Sequence, residues 1–206
     1  MLYAIGYSLC RWIARSLFSL RVEGEEHIPK EGAAILAPNH VSFLDPVLVG
    51  VSATRPVYFM AKKELFGNPF ARWFLNGLHT FPVSREQIAP STLRHTLALL
   101  EAGEAVVIFP EGGRGDGRTM RPIRPGIGLI AARSGAPVVP VCHSGTERAL
   151  PRGARFIRRV PLRVRFGPPL RFAGDGTADH AAMTGFAREI GEAIAALRVN
   201  ASLPIE

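Results

Sequence analysis

A chain of 206 residues, 47% hydrophobic and 20% charged, can bury one sizeable core, and this composition excludes global disorder. Its net charge of +8 and pI near 10.5 call for an anionic partner: nucleic acid, an acidic membrane face or a phosphorylated substrate. The two cysteines, Cys10 and Cys142, have neither metal-ligand nor redox spacing, which argues against a disulfide scaffold and for a reducing compartment.

The uninterrupted apolar part before Arg11 is too short to cross a bilayer, which takes about 20 residues. It lacks the leading positive charge and clear cleavage site of a signal peptide. Wound as a helix, residues 1–20 gather Leu2, Ile5, Leu9, Trp12, Ile13, Leu17 and Leu20 into a stripe, with Arg11 and Arg15 beside it. This fits an amphipathic membrane-interfacial helix with Trp12 at headgroup level, and equally a helix packed on the core.

Further along, apolar runs at 33–38, 56–61, 105–109, 137–142 and 161–166 read as strands. Helical patterns fall near 42–53, 69–76, 87–101, 126–134 and 178–198. The alternation predicts a single α/β domain over residues 21–206 with a largely parallel sheet, whose site belongs in the loops beyond the strand ends. From Arg148 to Arg171 there are eight arginines and no acid. A solvated face would show such a run, but arginine at this density is better matched to phosphate oxygens, which its planar fork binds in pairs.

Directly after the first of these strands comes Asn39-His40-Val41-Ser42-Phe43-Leu44-Asp45-Pro46. Ser42 and Asp45 have the spacing of a helix start, with Pro46 tolerable in the first turn. Five residues span about 140° of an ideal helix, so His40 and Asp45 cannot share a helical face. With His40 in the loop ahead, however, its ring can fold back on Asp45, and a carboxylate there would hold the imidazole in one tautomer. The spacing alone also allows Asp45 to be a capping residue and His40 an ordinary loop histidine.

The segment NHVSFLDP resembles the first motif of the glycerophospholipid acyltransferase family. Three more segments follow in the family's order: Gly77 with Phe81-Pro82-Val83-Ser84-Arg85, then Phe109-Pro110-Glu111-Gly112-Gly113-Arg114, then Val138-Val139-Pro140-Val141. The likeness runs from about residue 22 to 167. It implies a mixed sheet flanked by helices, no metal and no bound cofactor. It also implies transfer of a fatty acyl group from acyl-CoA or an acyl carrier protein to the free hydroxyl of 1-acylglycerol 3-phosphate, giving phosphatidic acid.

The resemblance makes His40 the base and Asp45 its partner. It assigns Arg85 and Arg114 to the acceptor phosphate, and puts Glu111 beside them, holding Arg114 or the glycerol. The loop from Gly112 to Gly117 could supply backbone donors to an oxyanion. Gly113, Gly115 and Ser84 stand where threonine, serine and aspartate are common in the family, so the contacts that those family side chains make are not expected here. Another lysolipid, such as a lyso-ornithine lipid, would suit the same chemistry.

From a different class, a non-catalytic basic module would account for the charge but not for His40, Asp45, Glu111 and Arg114 together. Nucleic acid is disfavoured because the arginine tract holds only two aromatics, Phe156 and Phe166, too few to interleave with its eight arginines as a stacking platform would. The expected location is the cytoplasmic face of the cell membrane, held by an anionic lipid surface. Three other chemistries fail on the sequence. Gly126-Ile127-Gly128 follows no strand, as a dinucleotide site would require. There is no G-x-S-x-G elbow. His27, His79, His95, His143 and His180 lack ligand spacing and read as solvated or core histidines.

Overall fold

A computed structural model describes residues 2–83, 90–117, 119–174 and 179–199. Seven strands form one sheet: β1 (Arg21–Glu23), β2 (Ala34–Pro38), β3 (Val57–Lys62), β4 (Thr80–Val83), β5 (Ala105–Val107), β6 (Val138–Ser144) and β7 (Arg163–Phe166). They lie in the order β1-β7-β6-β2-β5-β3-β4. The five strands from β6 to β4 are parallel; β7 is antiparallel to β6, and β1 runs with β7. The sheet is therefore mixed and largely parallel, as expected.

Its helices are α1 (Leu2–Phe18), α2 (Asp45–Ser52), α3 (Pro69–Gly77), α4 (Pro90–Glu101), α5 (Gly126–Ser134), the single turn α6 (Thr146–Ala149) and α7 (His180–Val199). Every residue of β2 is buried, and its side chains divide between two cores. Ile35 and Ala37 join Val106, Val138, Ile130 and Ile190 on one face. Ala34 and Leu36 join Val57, Val107, Val139 and Leu48 on the other. A parallel sheet covered on both faces needs such continuous apolar strands. Where α5 meets α7, a Cβ on Gly128 would lie 2.3 Å from the Met183 carbonyl oxygen, so glycine lets the two backbones touch.

Two differences from the expected elements have local causes. Strands β1 and β4 are too short to show a period, and Pro82 in β4 is tolerated because β4 is an edge strand. Helix α2 begins at Asp45 rather than at 42, because residues 42–44 form a turn held by the Asp45 carboxylate. Residues 87–89 of the expected 87–101 helix lie outside the described residues. Helix α1 covers most of the expected N-terminal helix. It packs on α2, buries Ala14, and its Tyr7 hydroxyl donates to Ala53 O at 3.1 Å, yet Leu9 and Trp12 are exposed.

Candidate active site

The five parallel strands all point their C-terminal ends at one edge of the sheet, and the site gathers there, as α/β sheets favour. The chain leaves β2 through Asn39 and His40, turns at Val41–Leu44 and enters α2. Asp45 Oδ2 accepts the backbone N–H groups of Val41 at 2.6 Å and Ser42 at 2.7 Å. The same oxygen lies 2.8 Å from His40 Nδ1. Asp45 thus combines two tasks, tying down the turn that starts α2 and orienting the imidazole.

Asp45 is 0% exposed. Burial by itself would raise its pKa, but attraction to His143 and hydrogen bonds from His40, Ser42 and Thr146 outweigh it and hold the carboxyl below its ordinary value. An ionised carboxylate only accepts, so Nδ1 of His40 must carry the proton and Nε2 keeps its lone pair. Phe109 packs on the imidazole, with ring centroids 4.2 Å apart.

Glu111 is 2% exposed. Its two oxygens accept backbone N–H groups, Oε1 from His40 at 2.7 Å and Oε2 from Arg121 at 2.9 Å. The Gly115 N–H donates to His40 O at 2.7 Å. The loop after β5 therefore grips the backbone of His40 from both sides. Gly112, with φ of 66°, lies under Arg124, whose Nε is 2.4 Å from where a Cβ would be. Arg114 stacks its guanidinium 3.6 Å from the centre of the Phe43 ring. Arg85 lies outside the described residues.

Two groups carry no sequence signal. The side chain of His143 is fully buried, with Nε2 donating to Asn39 O at 2.7 Å and lying 3.7 Å from Asp45 Oδ2. Asn39 in turn brackets the His143 backbone, accepting from its N–H at 2.9 Å and donating to its carbonyl at 3.2 Å. The second is Arg121. A Cβ on Gly113 would come within 2.9 Å of its Nη1, so this guanidinium occupies space beside the position where the family commonly has threonine.

Two cavities of about 500 Å³ each meet at this edge. One is largely apolar and is lined by His40, Met60, Leu65, Ile108, Phe109 and Ile127, among others. The other carries charges of both signs, with Arg114, Arg121, Arg152, Asp116 and Glu147 in its wall. Arg114 lines both. Among the described residues, no group of three or more His, Cys, Asp or Glu side chains could hold a metal ion.

The acyltransferase family profile matches residues 19–144, a span that contains His40, Asp45, Glu111 and Arg114. The chain belongs to the acyltransferase family. It is 32% identical over 172 residues to the 1-acyl-sn-glycerol-3-phosphate acyltransferase of Bacillus subtilis, covering 81% of this chain and 83% of that protein. A chloroplastic acyltransferase of the same name from Brassica napus is 30% identical over 66% of this chain, which spans only 40% of that longer protein. The fold is shared with the crystal structure of the 1-acyl-sn-glycerophosphate acyltransferase PlsC from Thermotoga maritima. The TM-score is 0.78 at 23% identity, over 100% of this chain and 80% of that one. Within this acyltransferase, His40, Asp45, Glu111 and Arg114 gather at the carboxyl edge of the sheet described above.

Proposed function

We propose that this acyltransferase moves a fatty acyl group from acyl-CoA or an acyl carrier protein to the free hydroxyl of 1-acylglycerol 3-phosphate, giving phosphatidic acid. The observation that carries this reading is the position of the His40–Asp45 pair beside two unlike cavities. The apolar one suits a hydrocarbon chain. The arginine-lined one suits the acceptor's phosphate, which guanidinium groups bind through charge-assisted hydrogen bonds.

In the reaction, His40 Nε2 takes the proton of the acceptor hydroxyl as its oxygen attacks the thioester carbonyl. The tetrahedral oxyanion collapses, the C–S bond breaks, and the departing thiolate recovers the proton from the imidazolium. Positioned proton transfer of this kind contributes about 10²–10⁴-fold, and Asp45 stabilises the imidazolium between the two steps. Of the glycine-loop amides, Gly112 N–H already donates to Phe109 O and Gly115 N–H to His40 O. The oxyanion therefore falls to other donors.

The reading includes peripheral attachment to the cytoplasmic face of the cell membrane, with the exposed Leu9 and Trp12 of α1 and the net positive charge contributing. Among the described residues, no helix is long and apolar enough to cross a membrane. To test the assignment, the purified protein is incubated with a panel of lysolipids and labelled thioester donors, and products are identified by mass spectrometry. Phosphatidic acid should dominate, and His40→Ala should abolish most of it with the circular dichroism spectrum intact. Near-normal turnover by His40→Ala would remove the base, and acylation of a different lysolipid alone would remove the acceptor.

A further inference from the structure

The segment from Pro151 to Val160 joins α6 to β7; Pro151 and Arg152 line one cavity and Val160 packs on a core, but neither the catalytic chemistry nor the cores account for the side chains between them. Both of its ends are fixed at the site edge of the sheet, since Ser144 at the end of β6 pairs with Arg163 at the start of β7. Ser42 Oγ donates to Leu150 O at 3.0 Å, and Arg158 N–H donates to Ala149 O at 2.7 Å. The segment is thus held against the loop that carries His40. Its side chains point outward: Phe156 is 83% exposed and Ile157 is 52% exposed. Arg152, Arg155, Arg158 and Arg159 around them are also exposed, and no acid lies between Leu150 and Val160.

Two adjacent large apolar side chains in water, ringed by cations, are costly unless something covers them. Other exposed apolar groups leave the same edge of the sheet: Phe43 after β2, and Leu65 and Phe70 after β3. Leu65 and Phe43 also line the apolar cavity, and Arg152 lines the polar one. The cover must therefore be apolar in depth, anionic at its surface, and broad enough to reach both cavities.

We infer that the segment 151–160 is a membrane-docking loop, with Phe156 and Ile157 entering the acyl boundary of an anionic bilayer and the flanking arginines on its headgroups. Charge complementarity selects an anionic bilayer rather than a neutral one. The docking opens both cavities toward the lipid layer, so an acceptor could reach His40 without crossing water. The inference rests on the proposed lipid acceptor for the identity of the cover, and its test is separable from that reading.

The full-length protein is sedimented with mixed phosphatidylglycerol–phosphatidylcholine vesicles and with phosphatidylcholine vesicles. Wild type should favour the anionic vesicles. The double variant Phe156→Ser/Ile157→Ser should bind them at least about tenfold more weakly. Arg155→Gln and Arg158→Gln should each cost about fivefold. All of these variants should retain wild-type turnover on a short-chain, water-dispersed lysophosphatidate, and lose it on vesicle-embedded acceptor. Unchanged sedimentation of the variants overturns the docking loop. So does equal binding of wild type to both vesicle types, or a loss of self-association or of carrier-protein binding in the variants with vesicle binding intact. Vesicle binding through the loop without turnover on any lysolipid would instead keep the docking and overturn the proposed reaction.

Discussion

The backbone N–H of His40 donates to Glu111 Oε1 at 2.7 Å, across 71 residues of sequence. A carboxylate from the loop after β5 thereby sets where the imidazole stands, while its second oxygen holds Arg121 N–H. Glutamine at 111 keeps one acceptor but turns an NH₂ group toward the other amide. Glu111→Gln should lower kcat by about 10–100-fold and stability by about 1–3 kcal/mol, the cost of an unsatisfied buried donor. Steady-state kinetics with a urea unfolding curve checks both. A change confined to the KM of the acceptor would make Glu111 a substrate ligand instead.

Acid should act on the fold through Asp45. Its carboxyl is held below the ordinary value in the native state despite burial, by His143, His40, Ser42 and Thr146. A depressed native pKa contributes stability that is fully present above the unfolded value, about 3.9. That contribution is lost as pH falls through the native pKa. The stability gap between wild type and Asp45→Asn should therefore be widest near neutrality and narrow below about pH 4. Urea titrations at a series of pH values measure it, and a gap independent of pH would show that Asp45 is held by shape rather than by charge.

Arg114 lines both cavities and stacks on Phe43. Arg114→Ala should raise the KM for the phosphorylated acceptor by roughly 10–150-fold, the equivalent of one charge-assisted bond of about 1.5–3 kcal/mol. Arg85→Ala should act in the same direction. If only the KM of the thioester donor moves, these arginines belong to the donor's phosphates.

Packing between α5 and α7 offers a test remote from the chemistry. Gly128→Ala puts a methyl group 2.3 Å from the Met183 carbonyl, and backbone must shift to admit it. A loss of about 1–3 kcal/mol is expected from such overpacking, with turnover per folded molecule retained. Gly191→Ala should be milder, because its methyl meets the Ile123 side chain, 2.9 Å away, and a side chain can rotate aside. Equal thermal shifts for the two variants would contradict this account.

The reading of the sequence reaches furthest where position along the chain sets position in space. His40 and Asp45 straddle one turn, so their geometry follows from a strand end and a helix start. The glycine-rich segment after β5 was legible for the same reason. His143 was not, since its partner Asn39 is 104 residues away and only the pairing of β6 with β2 brings them together. Arg121 escaped notice because its place is defined by the missing side chain of Gly113. The N-terminal stripe was ambiguous because α1 both packs on α2 and exposes Trp12.

The location of β2 between β6 and β5 also has a consequence for synthesis. Both of its neighbours are translated long after it, so the nascent chain carries Ala-Ile-Leu-Ala-Pro with its two hydrogen-bonding edges bare. Such an apolar strand invites pairing with other chains until its own partners arrive. Non-local parallel pairing is also slow. A ribosome stalled after α4 would thus hold a chain that has His40 and Asp45 but lacks Glu111 and His143, inert as an enzyme and open to pairing with other chains.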